Sequence, residues 1–387
     1  MIMYKIATST FDIILLCFTI FKFSFVPNPI FTLAKYTVII YLLIKYHKEI
    51  YCNKIGYFCL FVYSFVLTYS TSINVSSFTW VLSALMSGMQ WVVFFLALSA
   101  LCRIRGIQNT VSILFRYTII MLFINDISML ILPYDFSNPE EIYLIGNKFS
   151  VSYYHSILCS FCYIVQYNGK KRWLTPILIV YSGIIAATIH CTTGILITLT
   201  MAMLLFIPKW LQNILERPSM VLAAIAIENI LIWSPISIFN NPILQSIMMN
   251  VFHKSQNMTG RARLYSAVLP LVSQKPLLGY GYNTDVFRNM FGYGNAQNGL
   301  FHIVIQAGII GAIFYFGAIY FALLHKKRNN IGHGMYIYIY AMIVGSAVEI
   351  NLSTLFMLGI AILYACNMTS ENSVCSQRKE CERTLPD

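Results

Sequence analysis

A chain of 387 residues that is 58% hydrophobic and 15% aromatic but only 10% charged holds more apolar side chain than one soluble core can bury. That excludes a soluble globular domain and a disordered one, and predicts an integral membrane protein. The formal charge of +12 sits mostly in short basic clusters between apolar runs, where it orients spans and meets anionic lipid, so nucleic acid is not an expected partner.

Crossing the hydrocarbon core takes about 20 apolar residues, with about 17 as the minimum, and counting such runs predicts about twelve spans. In chain order they are 9–26, 30–46, 56–72, 79–101, 110–132, 150–166, 173–189, 192–207, 218–234, 299–324, 333–348 and 350–366. The first run resembles a signal peptide but has no small-residue cleavage site, and is expected as a retained span. The tightest pair turns around His190, Cys191 and Thr192. The fold class is an all-α polytopic membrane protein.

Correct spans leave lysine and arginine in every second loop. Here Lys45, Lys48 and Lys54 mark one such loop, followed by Arg103 and Arg105, then Lys170, Lys171 and Arg172, then Lys209 and Arg217. Lys326, Lys327 and Arg328 come next, and Arg378, Lys379 and Arg383 last. Both termini are then cytoplasmic. The expected organisation is an N-terminal bundle over 1–234, a large extracytoplasmic loop at 235–298, helices over 299–366, and a disordered polar tail at 367–387.

The ten cysteines form no disulfide or zinc framework. Cys159 and Cys162 stand inside "SILCSFCYIV" without a second pair and are expected as small buried residues. No metal or other cofactor is expected.

The loop 235–298 carries Lys254, Arg261, Arg263, Lys275 and Arg288 against one acid, Asp285. Loops this long are usually functional or disordered. Within it, "RARLYSAVLPLV" has apolar residues at 264, 268, 269, 271 and 272, which suits a short amphipathic helix lying on the bilayer surface. Gly279, Gly281, Gly292 and Gly294 punctuate turns.

The same stretch, "TGRARLYSAVLPLVSQKPLLGYGYNTDVF" followed by "NAQNGLFHIVIQAGIIGAIFYF", resembles the Wzy-type O-antigen polymerase and O-antigen ligase superfamily. That family has a Gly-Arg followed by an aromatic residue, a Pro-x-x-Gly-x-Gly turn, a His-Asn pair and a helix marked Gly-x-x-Gly. The matching residues are Gly260, Arg261 and Tyr265, then Pro276, Gly279 and Gly281, then Gln297 and Asn298, then Gly308 and Gly311. The resemblance implies a GT-C-like glycosyltransferase whose donor glycan is linked to undecaprenyl diphosphate on the outer leaflet. Negative charge develops on the diphosphate as the glycosidic bond breaks, and a guanidinium stabilises it in bidentate fashion. Arg261 is the first candidate for that role. Arg263 lies about 200° further around a helix and would join it only if the segment is not helical.

Two departures from the family pattern stand out. Gln297 replaces the histidine of the ligases, and "IHCTTGIL" stands where ligases carry a Ser-Arg pair. Glutamine orients a hydroxyl but takes no proton, so Gln297 and Asn298 are expected to position substrate. His302, four residues after Asn298, is the candidate substitute base, or else an interfacial histidine with a local hydrogen bond. Tyr265, Gly279, Gly281, Arg263 and Arg288 are expected to bind substrate, together with Lys148 and His155, which stand at the start of a span in "GNKFSVSYYHS". Among polar residues inside apolar runs, Lys22, Lys35, Arg116, Asp126, Glu228 and Glu349 are expected to face a cavity, a partner or the interface. Gly308 and Gly311 read as a close helix approach.

The expected function is polymerisation of undecaprenyl-diphosphate-linked oligosaccharide repeat units into a surface polysaccharide, an O-antigen or a capsule. The alternatives are an O-antigen ligase, disfavoured by Gln297 and the missing Ser-Arg, and a flippase for the same lipid-linked units. Expected partners are that oligosaccharide, membrane lipid, a chain-length regulator and a flippase.

Overall fold

The computed structural model describes residues 2–21, 23–136, 138, 140–166, 173–233, 246, 261–324 and 330–383. Of 2–8, 231–233, 261–263, 330 and 369–383 it describes the backbone alone. Lys22, Lys170, Lys171, Arg172, Lys254, Gly260 and Lys326 to Arg328 lie outside the described residues.

Each of the twelve apolar runs is a helix. They are α1 (Ile2–Ile20), α2 (Asn28–Tyr46), α3 (Lys54–Asn74), α4 (Phe78–Arg105), α5 (Ile107–Ile131), α6 (Lys148–Val165), α7 (Leu174–Thr188) and α8 (Thr192–Leu205). A short α9 (Lys209–Leu215) leads into α10 (Pro218–Trp233). The loop region contributes α11 (Arg261–Gln274) and α12 (Val286–Phe291), and α13 (Gly299–Leu323), α14 (His333–Ser346) and α15 (Thr354–Arg383) complete the chain. Among the described residues, five helices are long and apolar enough to cross a membrane, α2 to α5 and α13, and shorter apolar helices accompany them. The chain is an all-α, multi-pass membrane protein.

The helix ends have local causes. Asn53, Asn147 and Asn298 cap α3, α6 and α13, each side chain accepting a backbone N–H three residues on. Gly106, at φ +79°, breaks α4 from α5. His190 takes a left-handed φ of 50° in the turn between α7 and α8, and Cys191 N–H closes that turn on the Ala186 carbonyl at 2.8 Å. The tight pair expected there is therefore a helical hairpin.

At the centre stands α4, whose residues from Val92 to Leu98 are all buried, packed between α3 and α15. A helix apolar all round belongs in an interior. α13 packs along α3, α14 along α8, and α5, α6 and α7 form a consecutive stack. Ile120, Phe123, Leu130 and Ile131 of α5 are exposed, an apolar surface suited to lipid. On the side assigned to the cytoplasm, Lys45 pairs with buried Asp12 at 2.7 Å and Arg103 pairs with Glu49.

Two expectations change. The tail is not irregular: α15 runs on to Arg383, because residues 367–383 contain neither glycine nor proline to stop it. The basic amphipathic segment is helical, but most of its stripe is covered by protein, with Leu269 left exposed. Leu264, Tyr265, Val268 and Leu271 are buried in a small core with Tyr280, Phe287, Ala296, Phe301 and Ile305. Spacings of three and four residues aim one face at a neighbour, and the neighbour here is the start of α13.

Candidate functional site

The loop residues and α13 are built into one another. Gly308 has φ +65° and ψ −171°, so α13 is broken there. An unbroken helix would bond the Ile309 and Ile310 N–H groups to the Ile305 and Gln306 carbonyls. Instead Ile309 N–H donates to the Pro276 carbonyl at 2.8 Å and Ile310 N–H to the Leu277 carbonyl at 3.2 Å. The released carbonyls are filled from the loop, Ile305 by Tyr280 N–H at 2.7 Å and Gln306 by Gly281 N–H at 2.9 Å. Two helical bonds are exchanged for four to the 276–281 turn. Broken helix is tolerated within a membrane bundle when other protein satisfies its backbone.

This exchange explains the glycines. Gly279 and Gly281 have φ of +69° and +92°, and a β-carbon on Gly281 would lie 2.8 Å from the Thr71 Cα. Thr71 Oγ1 accepts Tyr282 N–H at 2.8 Å, which docks the turn on the end of α3. Gly279 and Gly281, expected at the substrate, are placed here by backbone packing. A β-carbon on Gly311 would meet Ala307 Cβ of the same helix at 2.3 Å but Val66 of α3 only at an ordinary 3.5 Å, so Gly311 packs against its own helix beside the break that Gly308 makes.

A second knot ties the family-matched polar residues to the loop between α14 and α15. The Tyr265 hydroxyl reaches the Gln297 carbonyl at 2.9 Å and the Ala347 carbonyl at 2.7 Å. Asn298, fully buried, accepts Phe301 N–H at 2.9 Å and donates to the same Ala347 carbonyl at 3.4 Å. Glu228 of α10 accepts the Ser346 hydroxyl at 2.9 Å. Tyr265 and Asn298 therefore hold the 346–349 turn in place. Gln297 is half-buried with a strained φ of +47°, its N–H bonded to Asn295 Oδ1 at 2.8 Å.

Three cavities run in a row along this end of the bundle. The first, about 400 Å³, lies between the start of α6 and the loop after α14, and is lined by Lys35, Asn147, Ser150, Tyr153, Asn295 and Glu349. The second, about 230 Å³, shares Asn295, Ile350, Ser353 and Thr354 with the first and adds Trp91, Tyr282, His302 and Gln306. The third, about 410 Å³, shares Tyr282 and Asn283 with the second and is lined by Asn74, Trp80, Lys275, Tyr280 and Asp285. Amides, hydroxyls and aromatic faces suit a ligand with many hydroxyl groups. Burial raises the phenol of Tyr282 above its ordinary range, so it stands there as a neutral donor.

The sequence-derived site residues divide accordingly. Arg261 and Arg263 stand on the first turn of α11, described by backbone alone. Position 261 lies one turn before Tyr265 on the same face, whereas position 263 lies about 200° around the helix from 261, so the condition that would bring Arg263 to the site is not met. His302 lines the second cavity. Arg288 is mostly exposed and pairs with Asp285 at 3.2 Å. Lys148 opens α6 beside the first cavity, its ammonium 5.9 Å from the Phe149 ring centre. His155 is fully buried, with Nε2 at 3.1 Å from Asp126, Nδ1 at 2.8 Å from the Val151 carbonyl, and Tyr181 donating to the same carboxylate at 2.6 Å. It holds α5, α6 and α7 together and lines none of the three cavities, because a position seven residues into α6 is already interior. Arg116 is exposed on α5.

Sequence reasoning missed the lining by Asn295, Ser353 and Thr354, which belong to no motif, and underrated Lys275, whose ammonium reaches Asn74 Oδ1 and lies 4.9 Å over the Tyr280 ring. Lys35 and Glu349, weighed separately as polar residues in apolar runs, line one cavity. Burial raises the Cys191 thiol above its usual range, against hydrogen bonds with Ser152 and the Gly194 backbone that lower it.

No curated protein and no solved structure matches the chain. The family model described as O-antigen ligase matches residues 157–316, from within α6 through the loop and into α13, past the break at Gly308. Over residues 157–316 the chain is thus similar to the O-antigen ligase family model, consistent with the O-antigen polymerase and ligase superfamily, whose members are glycosyl-transferring membrane enzymes.

Proposed function

We propose that the protein polymerises lipid-linked oligosaccharide repeat units into a surface polysaccharide on the outer face of a bacterial inner membrane. The observation that carries this reading is the row of cavities lined by amide, hydroxyl and aromatic groups, bounded by the motif-bearing loop of a glycosyl-transferring family domain. In the reaction, a terminal hydroxyl of one lipid-linked unit attacks the anomeric carbon of a growing chain. The new C–O bond forms as the bond to the diphosphate breaks, and undecaprenyl diphosphate leaves with the electron pair. Arg261 neutralises the charge growing on the diphosphate, and Gln297 orients the chain without exchanging a proton. Gln297 in place of a histidine favours polymerase over ligase.

Deleting the gene and resolving the cell-surface glycans by gel tests the reading. Loss of the polymerase leaves lipid A core carrying one repeat unit. Core with no repeat unit at all would assign the protein to ligation, and units trapped on the inner leaflet would assign it to flipping.

A further inference from the structure

A glycosyl transfer needs a group to take the proton of the attacking hydroxyl, and Gln297 cannot. Asn298 is fully buried and occupied as a helix cap. Among the described residues, two carboxylates line the three cavities, Asp285 and Glu349. Asp285 has a side chain 63% exposed and is paired with Arg288, so water screens it. Glu349 is 8% exposed, lines the first cavity beside Asn295 and Ser353, and belongs to the turn on which the family-matched residues converge. Its N–H is bonded to the Gly345 carbonyl at 3.1 Å, and Ala347, two residues earlier, receives both Tyr265 and Asn298. The backbone of the turn that carries Glu349 is thus fixed by hydrogen bonds, and a positioned proton acceptor needs such a fixed backbone. In the backbone of α11, position 261 stands one turn before Tyr265.

We infer that Glu349 is the general base of this enzyme, accepting the proton of the acceptor hydroxyl as that oxygen bonds the anomeric carbon. The inference rests on the glycosyl-transfer reading above and holds for a polymerase or a ligase alike. The carboxylate becomes a carboxylic acid as the C–O bond to the diphosphate breaks, and returns its proton to solvent after release of the product. Lys35 lines the same cavity as Glu349.

The test uses the full-length protein in lipid nanodiscs with a lipid-linked repeat unit as the probe. Glu349→Gln is expected to lower kcat by about 10²-fold or more while leaving KM for the lipid-linked unit within threefold, the usual loss for a missing general base. Formate added to Glu349→Ala should restore part of the rate, which a merely structural role would not allow. If Glu349→Gln fails to insert, Glu349→Asp gives the second reading, with an expected drop of about tenfold or more in kcat alone. Turnover of Glu349→Gln within threefold of wild type would overturn the inference, as would a full loss in Glu228→Gln or His302→Gln with Glu349→Gln active. Wild-type protein that transfers no glycan to any acceptor would instead overturn the glycosyl-transfer reading itself.

Discussion

Gly279 and Gly308 meet backbone to backbone. A β-carbon on Gly279 would lie 2.5 Å from the Ile305 carbonyl oxygen, and one on Gly308 would lie 2.2 Å from the Leu277 carbonyl oxygen. Both have positive φ, so a methyl group at either position adds dihedral strain to a clash with main chain that cannot rotate away. Gly308→Ala or Gly279→Ala should cost about 2–4 kcal/mol, combining left-handed strain with overpacking. Gly292, at φ +76° with open space around it, isolates the strain, and Gly292→Ala should cost only about 1 kcal/mol. Thermal unfolding in detergent gives the comparison. Equal melting of the Gly308 and Gly292 variants would mean the turn and the broken helix are not interlocked.

The alternating basic clusters predict sidedness. Cysteine placed at Ser273, an exposed position on α11, should react with an impermeant thiol reagent added to intact spheroplasts, and cysteine at Asn330 should react only after lysis. Labelling of both from the same side would overturn the span count and the outward placement of Arg261.

Arg261 carries the sharpest chemical expectation. Removing a charged donor that acts in the transition state typically costs on the order of 10²–10³ in rate, and lysine does not restore a bidentate grip. Arg261→Ala should abolish long chains at normal membrane abundance, and Arg261→Lys should recover part of them. Arg288→Ala removes one charge from the same loop, but that side chain is 67% exposed and paired at the surface, so a much smaller effect is expected. Glycan ladders of the same mild shortening for both would reduce the loop to a general electrostatic surface.

Gln297 is tested by three replacements. Gln297→Ala should shorten chains or lower yield, whereas Gln297→His should keep some activity, since both native and histidine side chains donate a hydrogen bond. Gln297→Gly relieves the φ of +47° and should raise the melting temperature while lowering activity. Wild-type ladders from Gln297→Ala at equal protein level would remove this position from the site.

Much of the architecture was legible in the chain because lipid imposes a simple rule. Apolar runs long enough to span must be helical, and among the described residues a helix occupies most of each of the twelve runs, five of them long and apolar enough to cross a membrane. The caps at Asn53, Asn147 and Asn298 and the break at Gly106 are local chemistry, readable within a few residues. The motif pieces, Tyr265, Pro276 to Gly281, Gln297–Asn298 and Gly308, were visible singly for the same reason. Their joint meaning was not: that the turn at 276–281 replaces the missing bonds of α13, and that Tyr265 and Asn298 hold the turn preceding Glu349, depends on contacts across 25 to 82 residues of chain. Periodicity reports which face of a helix is apolar but not what covers it. Hence the stripe of α11 was assigned to lipid when protein covers it, and His155 to sugar when Asp126 and Tyr181 enclose it. Glu349 and Lys35, far apart in sequence, became neighbours of one cavity only because packing of α2, α6 and the α14–α15 loop brings their chain segments together.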